Sequence, residues 1–345
     1  MKTVLRSISA SHPDQADIAA AAAHIAAGDL VAMPTETVYG LAADAHNPAA
    51  VARIFAAKGR PTTDPLIVHI ADVGQLADVA TEFPPAFALL AETFWPGPLT
   101  ILLPRHPALS TQITAGFDTV AVRMPAHPVA LALIRASGTP LVAPSANLFS
   151  HPSPTTGMHV MHDLDGRIAM VLDAGPCRIG VESTIVDITQ SPARILRQGD
   201  VSAEQLSTVL GEVQIVTRTL AASQAAPAPG MLLKHYAPRT PLMLLRGDSA
   251  AVRRTVLDVH TQKRIIWLCY AEDEQFAGLQ GIDTMCLGAA TDGAQIARSL
   301  FAALRAADAE GYALIVIAEP QGDGVAAAVR DRLYRAAEGV VHTLA

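Results

Sequence analysis

The chain has 345 residues, half of them hydrophobic, with a formal charge of -7 and a pI near 5.9. Twelve basic and eighteen acidic residues precede position 210, and thirteen basic and fourteen acidic follow. That balance excludes a broad basic surface, so strong direct binding of nucleic acid is not expected. The length is more than one ordinary domain needs and argues for two. Cys177, Cys269 and Cys286 are odd in number and scattered, which speaks against a disulfide framework or a CxxC metal site and for inert thiols in a reducing compartment. The opening MKTVLRSIS lacks the apolar core of a signal peptide, and no run reaches the roughly 18 apolar residues of a membrane span. A soluble cytoplasmic protein is the expectation.

In chain order, the Ala-rich stretch 14–27 reads as a helix stopped by Gly28, followed directly by an apolar strand at 30–33. Pro34 ends that strand, and Thr35, Glu36, Thr37 and Tyr39 crowd hydroxyls and a carboxylate into a turn. Asn47-Pro48 supplies a cap and a first-turn proline for a helix ending at Lys58. Strand patterns follow at 66–70, 99–103, 119–123, 140–143, 168–173, 184–188 and 194–197, with helices at 85–93 and from His127-Pro128 to Gly138. Ser202 and Gln205 form a capping-box pattern for a helix ending near Gly211. This is a layered α/β domain. The stretch 217–239, with TLAASQAAPAPG, has too little apolar periodicity to pack and reads as a linker. Beyond it, strands at 241–245, 264–270, near 285 and at 313–318 alternate with helices at 250–260, 295–307 and 325–337, the pattern of a small doubly wound, Rossmann-like unit. The expected division is 1–211, linker or lid 212–239, and 240–345.

Lys58 and Arg60, held close by Gly59 and Pro61, are cations suited to polyphosphate oxygens, although a solvated helix end has the same composition. Arg123 ends a buried strand, where it serves either a structural ion pair or a ligand carboxylate. Ser145, Asn147, Ser153 and Thr155 lie in PSANLFSHPSPTT, whose hydroxyls suit a cap or an anion site equally. Glu182-Ser183-Thr184 and Arg197 sit at strand ends that could share a cleft. Lys234-His235-Tyr236-Ala237-Pro238 reads either as a lid or as linker anchoring. The chain has no GxxxxGK[ST], HExxH or GxSxG motif. Gly322-Asp323-Gly324 imitates a dinucleotide fingerprint but lacks the acidic residue that should follow. His159 and His162, with Asp163, lack a further ligand nearby and read as surface, so no protein metal site is expected.

The blocks PTETVYGLAADA, KGRPTTDPLIVHI, FWPGPLTILLP, TVAVRMPAHP, PLVAPSAN, SPTT, GVESTIVDI, ILRQG and PGMLLKHYAP, in this order between residues 30 and 238, resemble the YrdC domain family. The added C-terminal unit makes the chain similar to the long, two-domain threonylcarbamoyl-AMP synthases of that family. The resemblance implies a twisted mixed α/β sheet with a concave polar face. It also implies ATP-dependent joining of L-threonine and bicarbonate or CO2 into threonylcarbamoyl-adenylate, with release of pyrophosphate. The product serves tRNA modification beside the anticodon through downstream transfer proteins. By the same resemblance, Lys58 and Arg60 hold the β- and γ-phosphates with Mg2+, and Asp64, Thr119, Ser145, Ser153 and Arg197 shape the rest of the ATP site. Thr37, His69, Arg123, Ala143 and Ser183 hold threonine, while His235 and Tyr236 cover the nucleotide. Four departures stand out: Phe149-Ser150 where Ser-Gly is common, Ala228 where Ser is usual, Gln198 where Pro is common, and Asp64 where Asn is frequent. An RNA-binding module is the rival of another class, disfavoured by the acidic balance. Carbamoyl transfer to a partner protein, as in hydrogenase-maturation factors, lacks the extra segments that those proteins carry.

Overall fold

The computed structural model describes residues 2–216, 224–233 and 235–345, which divide into two compact units. The first holds residues 1–149 and 153–232, the second 150–152 and 233–345. In the first unit the elements are β1 (Val4–Ser7), α1 (Gln15–Ala26), β2 (Val31–Met33), β3 (Gly40–Asp44), α2 (Pro48–Lys58), β4 (Ile67–His69), α3 (Pro85–Phe94), β5 (Leu99–Pro104), β6 (Thr119–Arg123), α4 (Pro128–Ser137), β7 (Leu141–Val142), α5 (Gly157–Leu164), β8 (Met170–Asp173), β9 (Thr184–Asp187), β10 (Ala193–Arg197), α6 (Ala203–Leu210) and β11 (Val213–Ile215). One mixed sheet joins all the strands in the order β1-β8-β2-β3-β7-β4-β6-β5-β9-β10-β11.

The caps expected from sequence are present. Asn47 accepts from the amides of Ala49 and Ala50 at the start of α2, and Gly59, at φ 64°, closes its other end in the left-handed conformation. That closure sets Lys58 and Arg60 on either side of a tight corner. Ser202 and Gln205 form the reciprocal capping box of α6. Strand β3 is not anticipated by the sequence reading, which assigned no element to its residues. It pairs antiparallel with β2, so residues 34–39 are the loop of a hairpin.

The central strands have two unlike faces. Val68, Val122, Ile101, Leu103 and Val186 belong to the main core. Their sequence neighbours Ile67, Ala121, Leu102 and Ile185, with Leu196, form a separate apolar strip on the opposite face. The cover over that strip is Ala226, Ala228, Met231 and Leu232. The expected 212–239 linker is therefore corrected in part. Val213–Ile215 is a strand parallel to β10, and 224–232 packs as a strap on the first unit. Ala and Pro alternate there too weakly to signal packing, yet small side chains suffice on a flat strip. Residues 217–223 and Lys234 of the expected linker lie outside the described residues.

The second unit contains β12 (Leu242–Arg246), α7 (Ser249–His260), β13 (Ile265–Cys269), α8 (Glu274–Gln280), β14 (Asp283–Cys286), α9 (Gly293–Ala309), β15 (Leu314–Ala318), α10 (Val325–Ala336) and β16 (Val341–Thr343). Its five strands are all parallel, in the order β14-β13-β15-β12-β16. This is the α/β unit expected, with α8 and β16 added. Residues 150–152 are tied into it, Ser150 O accepting from Ala237 N at 2.7 Å and Pro152 O from Arg305 at 2.5 Å. Among the described residues no helix is long and apolar enough to cross a membrane.

Candidate active site

The hairpin loop between β2 and β3 is fixed by its own side chains. Thr35 Oγ1 accepts from the amides of Thr37 and Val38, both at 3.2 Å, and donates to Val38 O at 2.6 Å. The amides of Ile179 and Gly180 close on Glu36 O and Thr37 O, and the Tyr39 hydroxyl donates to Asp173 and Gly175 O. Burial, reinforced by Asp173, pushes the Tyr39 phenol well above its ordinary range, so it stays a neutral donor. A rigid loop thus presents Glu36 and Thr37.

Both meet Arg123, at the end of β6. Its guanidinium donates to Glu36 Oε1 at 2.5 Å, to Thr37 Oγ1 at 3.0 Å and to Gly97 O at 3.1 Å, all buried. His69 ends the neighbouring strand β4. Burial and then the charge of Arg123 push its imidazole down to about 3, so it is neutral at physiological pH and able to donate or accept one hydrogen bond. On the strands beyond, Ser183 Oγ lies 2.7 Å from Thr100 Oγ1 and accepts from Arg197 at 3.0 Å. Arg197 also donates to Ser183 O at 3.0 Å and to Pro229 O of the strap at 3.3 Å. Side-chain alternation puts Thr119, His69, Arg123, Thr100 and Ser183 on the face of the apolar strip, and a register shift in β10 between Ile195 and Arg197, which pairs Arg197 with Ile185, brings Arg197 to the same face.

The second cluster surrounds the end of α2. Lys58 Nζ donates to Ser145 O at 2.5 Å and Asn147 O at 2.7 Å, which fixes the PSAN turn. Arg60 donates to Asp64 O and Pro65 O and pairs with the Asp64 carboxylate at 3.0 Å. Burial raises the Asp64 carboxyl, while Arg60, then Lys58 and Arg197, pull it back. The departure at Asp64 is thereby accounted for: its charge is met by Arg60. The charge of Arg197 reaches both Asp64 and His69.

Of the residues named from sequence, the structure gathers Thr37, Lys58, Arg60, Asp64, His69, Thr119, Arg123, Ala143, Ser145, Ser183 and Arg197 in the first unit. Ala143 N bonds to Ile67 O, and Ser145 bridges to Gly40. Ser153, also in this unit, donates to Glu182 Oε1, whose role sequence reasoning had left open. His235 and Tyr236 belong to the second unit, where Tyr236 stacks on Phe301 with its ring centroid 5.5 Å away. Thr100 was overlooked; a lone hydroxyl in the apolar run LTILLP was the signal. His159 and Asp163 engage the loops around Thr155 and Leu148, and no cluster of three metal-ligating side chains occurs among the described residues. A cavity of about 510 Å³ adjoins the strap, lined in part by Phe117, Leu196, Val216 and Met231.

Fold and site together define an α/β protein in which buried cations, hydroxyls and a carboxylate gather at the ends of the central strands and at the end of α2. The chain belongs to the Sua5/YciO/YrdC family, whose model, described as "Telomere recombination", matches residues 23–199. A second model, described as "Threonylcarbamoyl-AMP synthase, C-terminal domain", matches residues 201–338. The threonylcarbamoyl-AMP synthase of Bacillus subtilis is 44% identical over 327 residues, covering 94% of each chain, and that of Pyrococcus abyssi is 43% identical over 323 residues, covering 92% of each. The solved structure of P. abyssi Sua5 complexed with L-threonine superposes with a TM-score of 0.91 at 39% identity, covering 99% of this chain and 100% of that one.

Proposed function

We propose that this chain is an ATP-dependent nucleotidyltransferase that makes L-threonylcarbamoyl-adenylate from L-threonine, bicarbonate or CO2, and ATP, releasing pyrophosphate. The product supplies threonylcarbamoyl-adenosine modification of tRNA next to the anticodon, through downstream transfer proteins. The observation that carries the reading is the buried set Arg123, Thr37, His69 and Ser183 about the ends of adjacent strands, in the same unit as the buried cations Lys58, Arg60 and Arg197, in a chain so similar to a threonine-bound relative.

The chemistry needs no covalent nucleophile. Once the threonine amine has captured CO2 as a carbamate, a carbamate oxygen attacks the α-phosphorus in line, and pyrophosphate leaves with the electrons of the broken P–O bond. The protein supplies position and charge. Arg123 takes the threonine carboxylate, with Thr37, neutral His69, Ser183 and the backbone at Ala143 around the rest of the amino acid. Lys58 and Arg60 neutralise the β- and γ-phosphates, with Asp64, Thr119, Ser145, Ser153 and Arg197 bordering the nucleotide. The side chains fit a metal carried by the substrate better than a resident one, since Asp64 is already paired with Arg60. Mg2+ bound to the phosphates would add charge neutralisation on the leaving group.

Pyrophosphate release from ATP, followed with and without L-threonine and with and without bicarbonate, tests the reading. Release that requires both substrates, with an adenylate of the expected mass, is the expected result. Release indifferent to threonine overturns it.

A further inference from the structure

We infer that Glu36 is a substrate-binding residue whose second carboxylate oxygen receives the α-ammonium group of the amino acid, while Arg123 takes the α-carboxylate. The inference rests on the threonine reading above and adds a residue to it. Glu36 is 4% exposed; its Oε1 accepts from Arg123 at 2.5 Å, but Oε2, also buried, has no hydrogen-bond partner among the described residues. A buried carboxylate oxygen without a donor is costly, and its most favourable complement is a cationic donor. Its own loop does not supply one, because the Thr35 and Thr37 hydroxyls are turned to each other, 2.8 Å apart, and Thr37 receives Arg123.

The titratable groups within reach of Glu36 leave that oxygen without a donor. His127, Cys177 and Asp200 all lie within reach of its charge, yet none is a donor to it. His127 Nδ1 accepts from the Val129 amide, capping α4. The Cys177 thiol is a weak donor, and Asp200 is a second acid. The Glu36–Arg123 pair is a fixed dipole with zero net charge. An amino-acid zwitterion is a dipole of the same kind, and laid antiparallel on the pair it puts each charge against its opposite. Two antiparallel pairs bury no net charge, which avoids the penalty of an unpaired ion. A hydroxy acid of the same shape satisfies only the Arg123 half.

Calorimetric titration of the full chain with L-threonine and, separately, with 3-hydroxybutyrate, which lacks the α-amino group, tests the assignment. For Glu36→Gln we expect threonine affinity to fall roughly 10- to 100-fold, the range of a lost charged hydrogen bond, with 3-hydroxybutyrate changed less than about threefold. Glu36→Asp, which keeps the charge but withdraws it by one methylene, gives a smaller selective loss and serves alone if thermal melting shows the Gln variant unfolded. Equal loss for both ligands overturns the inference by reducing Glu36 to a support for Arg123, and an unchanged threonine affinity overturns it outright. Absence of threonine binding in the unaltered chain would instead remove the functional reading itself.

Discussion

His69 and Arg123 are register partners at the ends of two adjacent parallel strands, so a neutral imidazole lies beside a buried guanidinium. The folded protein keeps His69 unprotonated down to about pH 3, whereas the unfolded chain protonates it near the ordinary value of 6.5. The unfolded state therefore binds the extra proton between those values, and this contribution to stability is lost progressively as pH falls through that window. Denaturant titrations at pH 7 and pH 4.5 should show His69→Gln less acid-sensitive than the unaltered chain, by on the order of 1 kcal/mol per pH unit. Identical acid slopes would mean that the imidazole is not held neutral.

Arg123→Lys should raise the threonine KM at least about tenfold, because a single ammonium cannot serve Glu36, Thr37 and Gly97 O while also gripping a carboxylate. Threonine-dependent pyrophosphate release measures it. An unchanged KM would move the carboxylate elsewhere.

Lys58→Ala and Arg60→Ala should each cost about 2–4 kcal/mol in turnover. The structure separates their side effects. Loss of Arg60 leaves Asp64 as an uncompensated buried carboxylate, so that variant should also lose about 3–5 kcal/mol of stability. Combining it with Asp64→Asn should restore stability without restoring turnover. Recovery of both would make Arg60 a purely structural partner of Asp64.

Met231→Ala tests the strap. Met231 is 2% exposed in the cluster with Ile67, Ala121 and Leu102, so truncation should cost about 2–4 kcal/mol. A cost below about 0.5 kcal/mol in thermal or denaturant melts would show the strap to be loosely draped.

Ser150→Gly should stabilise the chain by about 0.5–1 kcal/mol. Ser150 sits at φ 67°, where a side chain costs roughly 1–2 kcal/mol, and the gain is reduced by the greater freedom of glycine when unfolded. A lowered melting temperature would refute the strain. Glycine, which the resemblance read from the sequence implies at this position, would carry no such penalty. Ala228 is accounted for by packing: it belongs to the strap and is fully buried in the cluster with Ile67 and Leu102, where a hydroxyl would need a partner.

Local physics made much of this protein legible from its residues alone. Apolar runs marked most of the central strands, Asn47-Pro48 and Ser202 with Gln205 marked helix starts, and the ordered blocks around Lys58, Arg123 and Ser183 marked the candidate site. Those features depend on neighbours within a few positions, and the sequence displays them directly. Tertiary structure alone decided which groups meet. Glu36 and Arg123 are 87 positions apart, and only the sheet order brings the hairpin loop onto the end of β6. The strap at 224–232 was read as a tether because its side chains are small and carry no period. Their burial depends on an apolar strip built from five strands, and such complementarity exists only once both surfaces have formed.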